Sequence, residues 1–209
     1  TIRSNGTIST TKVTARSGSA EDIQTAVDAV VAAGGGTVYV PEGDWAFTPA
    51  ELGAVQIPGG VNVIGMGKGV TILRADYAPM RGDPYVGYFF VKGSQGKFVR
   101  ISGISFASKV IDDQVSNFGV YMQDVENYRI DHCFFDNFTN AGVSNDRSRG
   151  VIDHCDFDDT FSIDYHDPVT GEPIEASWGY GIAIAGNDEA GFDVGWLPIE
   201  QFLGKYDTL

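Results

Sequence analysis

An all-β solenoid of stacked coils, a parallel β-helix, is the fold class this sequence predicts, and three observations carry that expectation. Residues 130–135 (IDHCFF) recur 22 residues later at 152–157 (IDHCDF), with five of six positions identical. A second register of short segments opening on glycine runs alongside: Gly87-Tyr88-Phe89, Gly119-Val120-Tyr121, Gly142-Val143-Ser144 and Gly181-Ile182-Ala183. Only one stretch has clear helical periodicity, and the chain beyond it reads as short strands divided by Gly, Asn and Asp turns. Units of this length cannot bury an apolar face alone and do so by stacking on one another.

In chain order, the helix comes first. Ser19 with Asp22 is an acidic variant of the capping box. Ile23, Ala26, Val27, Val30 and Val31 then recur on one helical face, and Gly34-Gly35-Gly36 ends the helix by tolerating the left-handed conformation. Thr37–Val40 reads as a strand and Pro41-Glu42-Gly43-Asp44 as a turn. Each later unit is led by an isoleucine: Ile101 in VRISGISF, Ile130 in YRIDHCFF and Ile152 in VIDHCDF, at steps of 29 and 22 residues. Val63 in GVNVIG leads a degenerate earlier copy. From the last apolar residue of one strand to the glycine of the next, Leu73 to Gly87 spans 14 positions, Phe106 to Gly119 13, Phe135 to Gly142 7 and Phe157 to Gly181 24. All the length variation is therefore expected at one corner, where stacked insertions build a wall of the kind on which repeat proteins carry binding surfaces. After Gly195 the repeat fades, and Pro198, Ile199, Phe202, Leu203 and Tyr206 have helical spacing. The expected organisation is one domain over 1–209. It comprises a cap helix at 19–36, about five coils over 37–195, and a cap or truncated coil at 196–209.

The charge balance narrows the partners. With 28 acidic against 14 basic residues and a net charge of −14, the chain repels nucleic acid and anionic lipid, and no Lys/Arg cluster offsets this. No apolar run approaches a membrane span. Asn5-Gly-Thr and Asn137-Phe-Thr fit the N-glycosylation pattern and favour an extracellular or cell-surface location. The chain opens on Thr1, as after removal of a leader or in a fragment.

Two groups of residues attract a chemical reading. His132/His154 and Cys133/Cys155 resemble a metal or acid–base set. One coil apart on adjacent strands, however, they are expected about 4.8 Å from their counterparts as a structural ladder, with Phe106, Phe135 and Phe157 stacked inside. The two thiols read as reduced core residues, and His and Cys as neighbours on one strand point to opposite faces. The insertion DDTFSIDYHDPVTGEPIEASWGY (158–180) differs. Asp158 and Asp159 are candidate catalytic carboxylates. With Asp167 they are also candidate Ca²⁺ ligands. Asp164, Tyr165, His166, Trp178 and Tyr180 are candidate sugar contacts, since aromatics stack on sugar rings. Asp112 and Asp113, in another insertion at the same corner, extend the acidic patch.

The segment SAEDIQTAVDAVVAAGGGTVYVPEGDW (19–45), succeeded by irregular coils to about Gly195, resembles the pectate-lyase-like right-handed parallel β-helix superfamily. The resemblance implies a right-handed coil capped by the helix. It also implies a function among polysaccharide lyases, glycoside hydrolases, tailspikes and non-catalytic surface proteins. A lyase of this kind needs an Arg or Lys base beside Ca²⁺; Lys109, Arg129, Arg147 and Arg149 lie on different turns. The hydrolases carry Asp-Asp ahead of a Gly-His-Gly-type segment, whereas Asp158-Asp159 is followed by Thr160-Phe161-Ser162. Lacking a convergent cation set, the sequence favours a non-catalytic β-helix with a structural, assembly or carbohydrate-contacting role. The alternatives are a lyase or hydrolase at the insertion corner, and a sugar-binding module with Trp178 as platform. The expected partner is a polysaccharide or glycan surface, or a second copy joined through the coil ends.

Overall fold

A computed structural model describes residues 11–48, 51, 53, 55–75, 86–108, 117–138, 141–158, 165–166, 173–174 and 180–185. β1 (Lys12–Thr14) leads into α1 (Ala20–Ala32). Ser19 caps α1, its Oγ accepting from the Asp22 N–H at 3.3 Å, and Glu21 and Asp22 in the first turn complement the helix dipole. Ala20, Ile23, Ala26, Val27 and Val30 are buried. Val31, predicted on the same face, is 45% exposed, because one residue rotates the side chain by about 100° and carries it off the stripe. Gly34 and Gly35 adopt φ of 89° and 115° and end the helix, with Gly35 N–H bonded to Val30 O at 2.9 Å.

Five coils of three strands come next. They are β2 (Gly36–Tyr39), β3 (Gly43–Phe47) and β4 (Val55–Ile57); β5 (Val61–Ile64), β6 (Thr71–Ala75) and β7 (Val86–Lys92); β8 (Val99–Ser102), β9 (Ser105–Ser108) and β10 (Asn117–Gln123); β11 (Tyr128–Asp131), β12 (Phe134–Asp136) and β13 (Ala141–Asp146); and β14 (Gly150–Asp153), β15 (Asp156–Asp158) and β18 (Tyr180–Ala185), the last after a hairpin, β16 (Tyr165–His166) and β17 (Pro173–Ile174). Corresponding strands form three parallel sheets, β1-β2-β5-β8-β11-β14, β3-β6-β9-β12-β15 and β4-β7-β10-β13-β18, here called sheets A, B and C. This is a parallel β-helix, and parallel crossovers of this kind take the right-handed sense.

The register stacks like on like. Val38, Val63, Ile101, Ile130 and Ile152 are successive partners in sheet A, and the first four are fully buried. In sheet B, Phe106, Phe135 and Phe157 stack with centroids 5.2 and 5.0 Å apart and planes within 9°. The glycines of the second register exist for this stack. A Cβ on Gly119 would lie 2.6 Å from the Phe135 ring, and one on Gly142 2.9 Å from that of Phe157. The second coil departs from the expected register. Gly87 pairs with Phe118, so Tyr88 rather than Gly87 stands at the glycine position. Leu73 replaces phenylalanine in this coil, and Tyr88 fills the aromatic space between Phe47 and Phe106, its hydroxyl donating to Ala107 O.

The corners carry most of the irregularity. Between sheets B and C the connections run 48–54, 76–85, 109–116, 137–140 and 159–179, so the longest insertion lies where the sequence placed it. Variation is not confined there. Between sheets A and B the second coil spends residues 65–70, where the later coils need only 103–104, 132–133 and 154–155.

Gly119→Ala forces the Phe stack or strand β10 to shift and is expected to cost about 1–3 kcal/mol. Thermal unfolding by circular dichroism should show Tm lowered by several degrees; an unchanged Tm would mean the ring and the glycine are not in contact.

Candidate functional site

Position by position, the outer face of sheet A builds a charged lattice. Arg100 pairs with Arg129 along the sheet, and Ser102, Asp131 and Asp153 form the next outward column. Stacking alone would set like charges side by side, so each arginine reaches diagonally to the carboxylate of the following coil. Arg100 donates to both oxygens of Asp131 at 2.7 and 2.6 Å, and Arg129 to both of Asp153 at 2.9 and 2.7 Å. Such two-point pairs are the strong form of the Arg–carboxylate bond. The Asp131 side chain is fully buried beneath its partners. Burial pushes its carboxyl upward, but the bonds from Arg100 and His132 and the nearby Arg129 outweigh this and hold it well below the usual carboxylate range. Asp153 is lowered chiefly by Arg129.

Each carboxylate also fixes an imidazole. His132 Nδ1 lies 2.8 Å from Asp131 Oδ2, and His154 Nδ1 lies 3.0 Å from Asp153 Oδ2. The two rings stack with centroids 4.9 Å apart and planes 4° from parallel. Both residues have left-handed backbones, φ 55° and 54°, at a corner where the third coil has Gly103 at φ 67°. The long loop of the second coil accounts for the difference. Its backbone lies on Gly103, with Gly67 N–H bonded to Gly103 O at 2.9 Å, and a Cβ there would meet Gly65 O at 3.0 Å. Beyond the loop the corner is open, and histidine fits. Lys68 at the tip of the loop extends over the later coils and donates to Asp156 Oδ2 at 2.6 Å and to His154 O at 3.3 Å.

With Nδ1 facing a carboxylate, each imidazole turns Nε2 away from it, the arrangement of a carboxylate-backed base. A shared metal ion is another matter. Parallel rings 4.9 Å apart keep equivalent nitrogens at that spacing, whereas two nitrogens on one zinc ion are at most about 4.2 Å apart. Among the described residues no group of three or more His, Cys, Asp or Glu gathers for a metal. Cys133 is buried and Cys155 partly so, both free, while His132 and His154 are exposed on the opposite side.

The cations form a set that the linear sequence does not display. Lys68, Arg100 and Arg129 are each bonded to a carboxylate, Asp156, Asp131 and Asp153 in turn. Of the four basic candidates, Arg129 belongs to this set, Arg147 pairs with Asp124 at 2.8 Å, Arg149 is exposed, and Lys109 lies outside the described residues. The signal is present in the paired strings VRIS and YRID, where an arginine precedes the leading isoleucine.

The insertion corner is described in part. Asp158 ends β15, exposed, in register with Asp136. Tyr165 and His166 form β16, opposite Ile174 and Pro173, and Tyr180 opens β18 opposite Ala141. Asp112, Asp113, Asp159, Asp164, Asp167, Trp178 and Asn5 lie outside the described residues. Asn137, half-buried at φ 63°, succeeds β12, and its N–H bonds to Asp158 O at 3.1 Å. No helix among the described residues is long and apolar enough to cross a membrane.

No family model matches the chain. A stretch of 55 residues, 25% of the chain, is 42% identical to the mannuronan C5-epimerases AlgE2 and AlgE3 of Azotobacter vinelandii, covering 6% and 3% of them. Among solved structures, the A-module of the mannuronan C-5 epimerase AlgE6 from the same organism overlays 66% of this chain. That overlay has a TM-score of 0.34 and 15% identity. The AlgE4 A-module overlays 63% with a TM-score of 0.30 and 19% identity. The chain spans about half the length of these modules and a small fraction of the curated relatives. Its own strand register establishes the fold, a parallel β-helix of three sheets.

Asp131→Asn removes the charge that holds Arg100 and His132 and is expected to cost about 3 kcal/mol. The same carboxylate predicts a pH dependence. Its folded pKa is depressed, so its contribution is complete above the ordinary value of 3.8 and declines as pH falls from there toward the folded pKa. Tm measured from pH 6 down to pH 2 should fall in the parent, with the drop reduced in Asp131→Asn; parallel profiles would contradict the assignment.

Proposed function

We propose that this chain binds a polyuronate on the outside of its coils and serves proton chemistry at C5 of the sugar, at the corner of the fifth coil. The observation that carries the reading is the 42% identity over 55 residues with mannuronan C5-epimerases. Inverting C5 of a uronate needs three things: a cation beside the carboxylate, a base to take the C5 proton, and an acid to return one from the opposite face.

The fifth coil, with Lys68 reaching over it from the second, offers candidates for each role within a short span. Asp156 and Asp158 alternate outward on β15, roughly 7 Å apart at strand rise, with Phe157 between them turned inward. Toward one end stand Lys68 and the Asp153–His154 pair; at the other begins the insertion with Asp159, Asp164, Tyr165, His166, Asp167, Trp178 and Tyr180. A polymer laid across β15 would meet cations first and the carboxylates, imidazole and phenols of the insertion next. In this reading Lys68 holds a uronate carboxylate, His166 and the tyrosines exchange protons, and Trp178 stacks on a ring. Asp158, Asp159 and Asp167 bind hydroxyls or Ca²⁺. The second reading, a sugar-binding module without catalysis, uses the same surface and is separated by turnover. An extracellular or cell-surface setting accords with a polymeric substrate of this kind.

Electrophoresis through gels containing mannuronan should retard the protein, with several-fold weaker retardation for Lys68→Ala and for Trp178→Ala. Gels containing the neutral glucan dextran should not retard it. Repeating the run with Ca²⁺ and with a chelator tests the carboxylate cluster. Equal migration in mannuronan and dextran would remove the polyuronate assignment.

A further inference from the structure

The two cysteines are absorbed by none of this chemistry. Cys133 and Cys155 succeed the A-to-B corner in consecutive coils, in register through the pairs Asp131–Asp153 and Phe134–Asp156 on either side. Their sulfurs have the same surroundings. Cys133 Sγ faces Asp131 O at 3.5 Å and Ile101 O at 3.9 Å; Cys155 Sγ faces Asp153 O at 3.4 Å and Ile130 O at 3.6 Å. Each thiol thus stands at the same place in its own coil, one coil from the other. In-register strands lie about 4.8 Å apart, inside the Cα separation a disulfide requires and a few tenths of an ångström wider than its preferred Cβ spacing. Closure therefore asks for a small shift, and the fifth coil is the one placed to make it. Ile152, Cys155 and Phe157 are only partly buried, whereas their fourth-coil counterparts Ile130, Cys133 and Phe135 are fully buried.

We propose that Cys133 and Cys155 are an oxidation site, closing to an inter-coil disulfide by exchange with a low-molecular-weight disulfide and clamping the fifth coil to the fourth. Access sets the order of events. Cys155, the more exposed thiol, loses its proton and attacks one sulfur of oxidised glutathione, releasing one glutathione thiolate and leaving a mixed disulfide. Cys133 then attacks the Cys155 sulfur, its proton passes to solvent, and the second glutathione leaves. Two protein thiols and one glutathione disulfide become one protein disulfide and two glutathione thiols, so no other oxidant enters. The environment supports the division of labour. The Cys155 thiol is lowered by its bond with Cys133, against the effect of burial, while that bond and burial push the Cys133 thiol up. The clamp holds the strand that leads into the longest insertion, so it bears on the corner of the proposed function without depending on it.

The test equilibrates the reduced protein with oxidised glutathione and then applies thiol titration and intact mass. The expected product is a monomer lighter by two hydrogens with no free thiol, and Tm raised on the order of 5–10 °C for a loop of this length. Cys133→Ser should stop at a stable glutathione adduct on Cys155, and Cys155→Ser should keep its one thiol unmodified. Circular dichroism confirms that each variant is folded; if one is not, the parent's mass and thiol count decide alone. Two free thiols after equilibration, two glutathione adducts, or a disulfide only between molecules would each overturn the proposal. Polysaccharide retention is read separately and has no part in this outcome.

Discussion

In-register parallel stacking governs this molecule. Each strand bonds to its counterpart in the next coil, so each side chain stands about one strand spacing from the residue at the same position one coil away. That spacing rewards residues that stack on themselves and penalises like charges. Phenylalanines answer it with face-to-face rings, and glycines beside them leave the rings room. Arginines answer it by bonding diagonally to carboxylates of the following coil. The same rule brings two imidazoles face to face and sets two thiols at equivalent places in consecutive coils.

Corners supply what the sheets cannot. A left-handed residue recurs where sheet A turns to sheet B, at Gly103, His132 and His154, and where sheet C turns to sheet A, at Gly93, Asp124 and Arg147. Such a backbone costs a non-glycine residue roughly 1–2 kcal/mol. At His132 and His154 a carboxylate bond and the ring stack act against it, and Arg147 makes a two-point pair with Asp124. Imidazole and charged side chains thus stand at positions of backbone strain, each bonded to an oppositely charged or hydrogen-bonding neighbour.

Repetition is what makes this fold visible in the sequence. The isoleucine and phenylalanine columns are legible because the same residue returns at the same place, and the helix because its cap and glycine exit are local. Substitution hides the rest. Leu73 in place of phenylalanine hides the column in the second coil, and Tyr88 in place of glycine leaves Gly87 one residue out of step with the other glycines. The loop at 65–70 belongs to no repeat, so nothing local indicates that Lys68 reaches the fifth coil. Arg100 and Arg129 each precede a leading isoleucine, and only the stacked coils show that each pairs with a carboxylate of the following coil. The linear sequence does not display these ion pairs; the fold assembles them.

The central claim is that proton exchange at C5 of a bound uronate takes place on this fold. Incubating mannuronan with the protein in D₂O and examining the polymer by NMR tests it most directly. The account predicts deuterium at C5 of the converted residues, lost in Asp158→Ala and His166→Ala while the fold is retained. A polymer that is bound yet carries no deuterium at C5, with and without Ca²⁺, would contradict it.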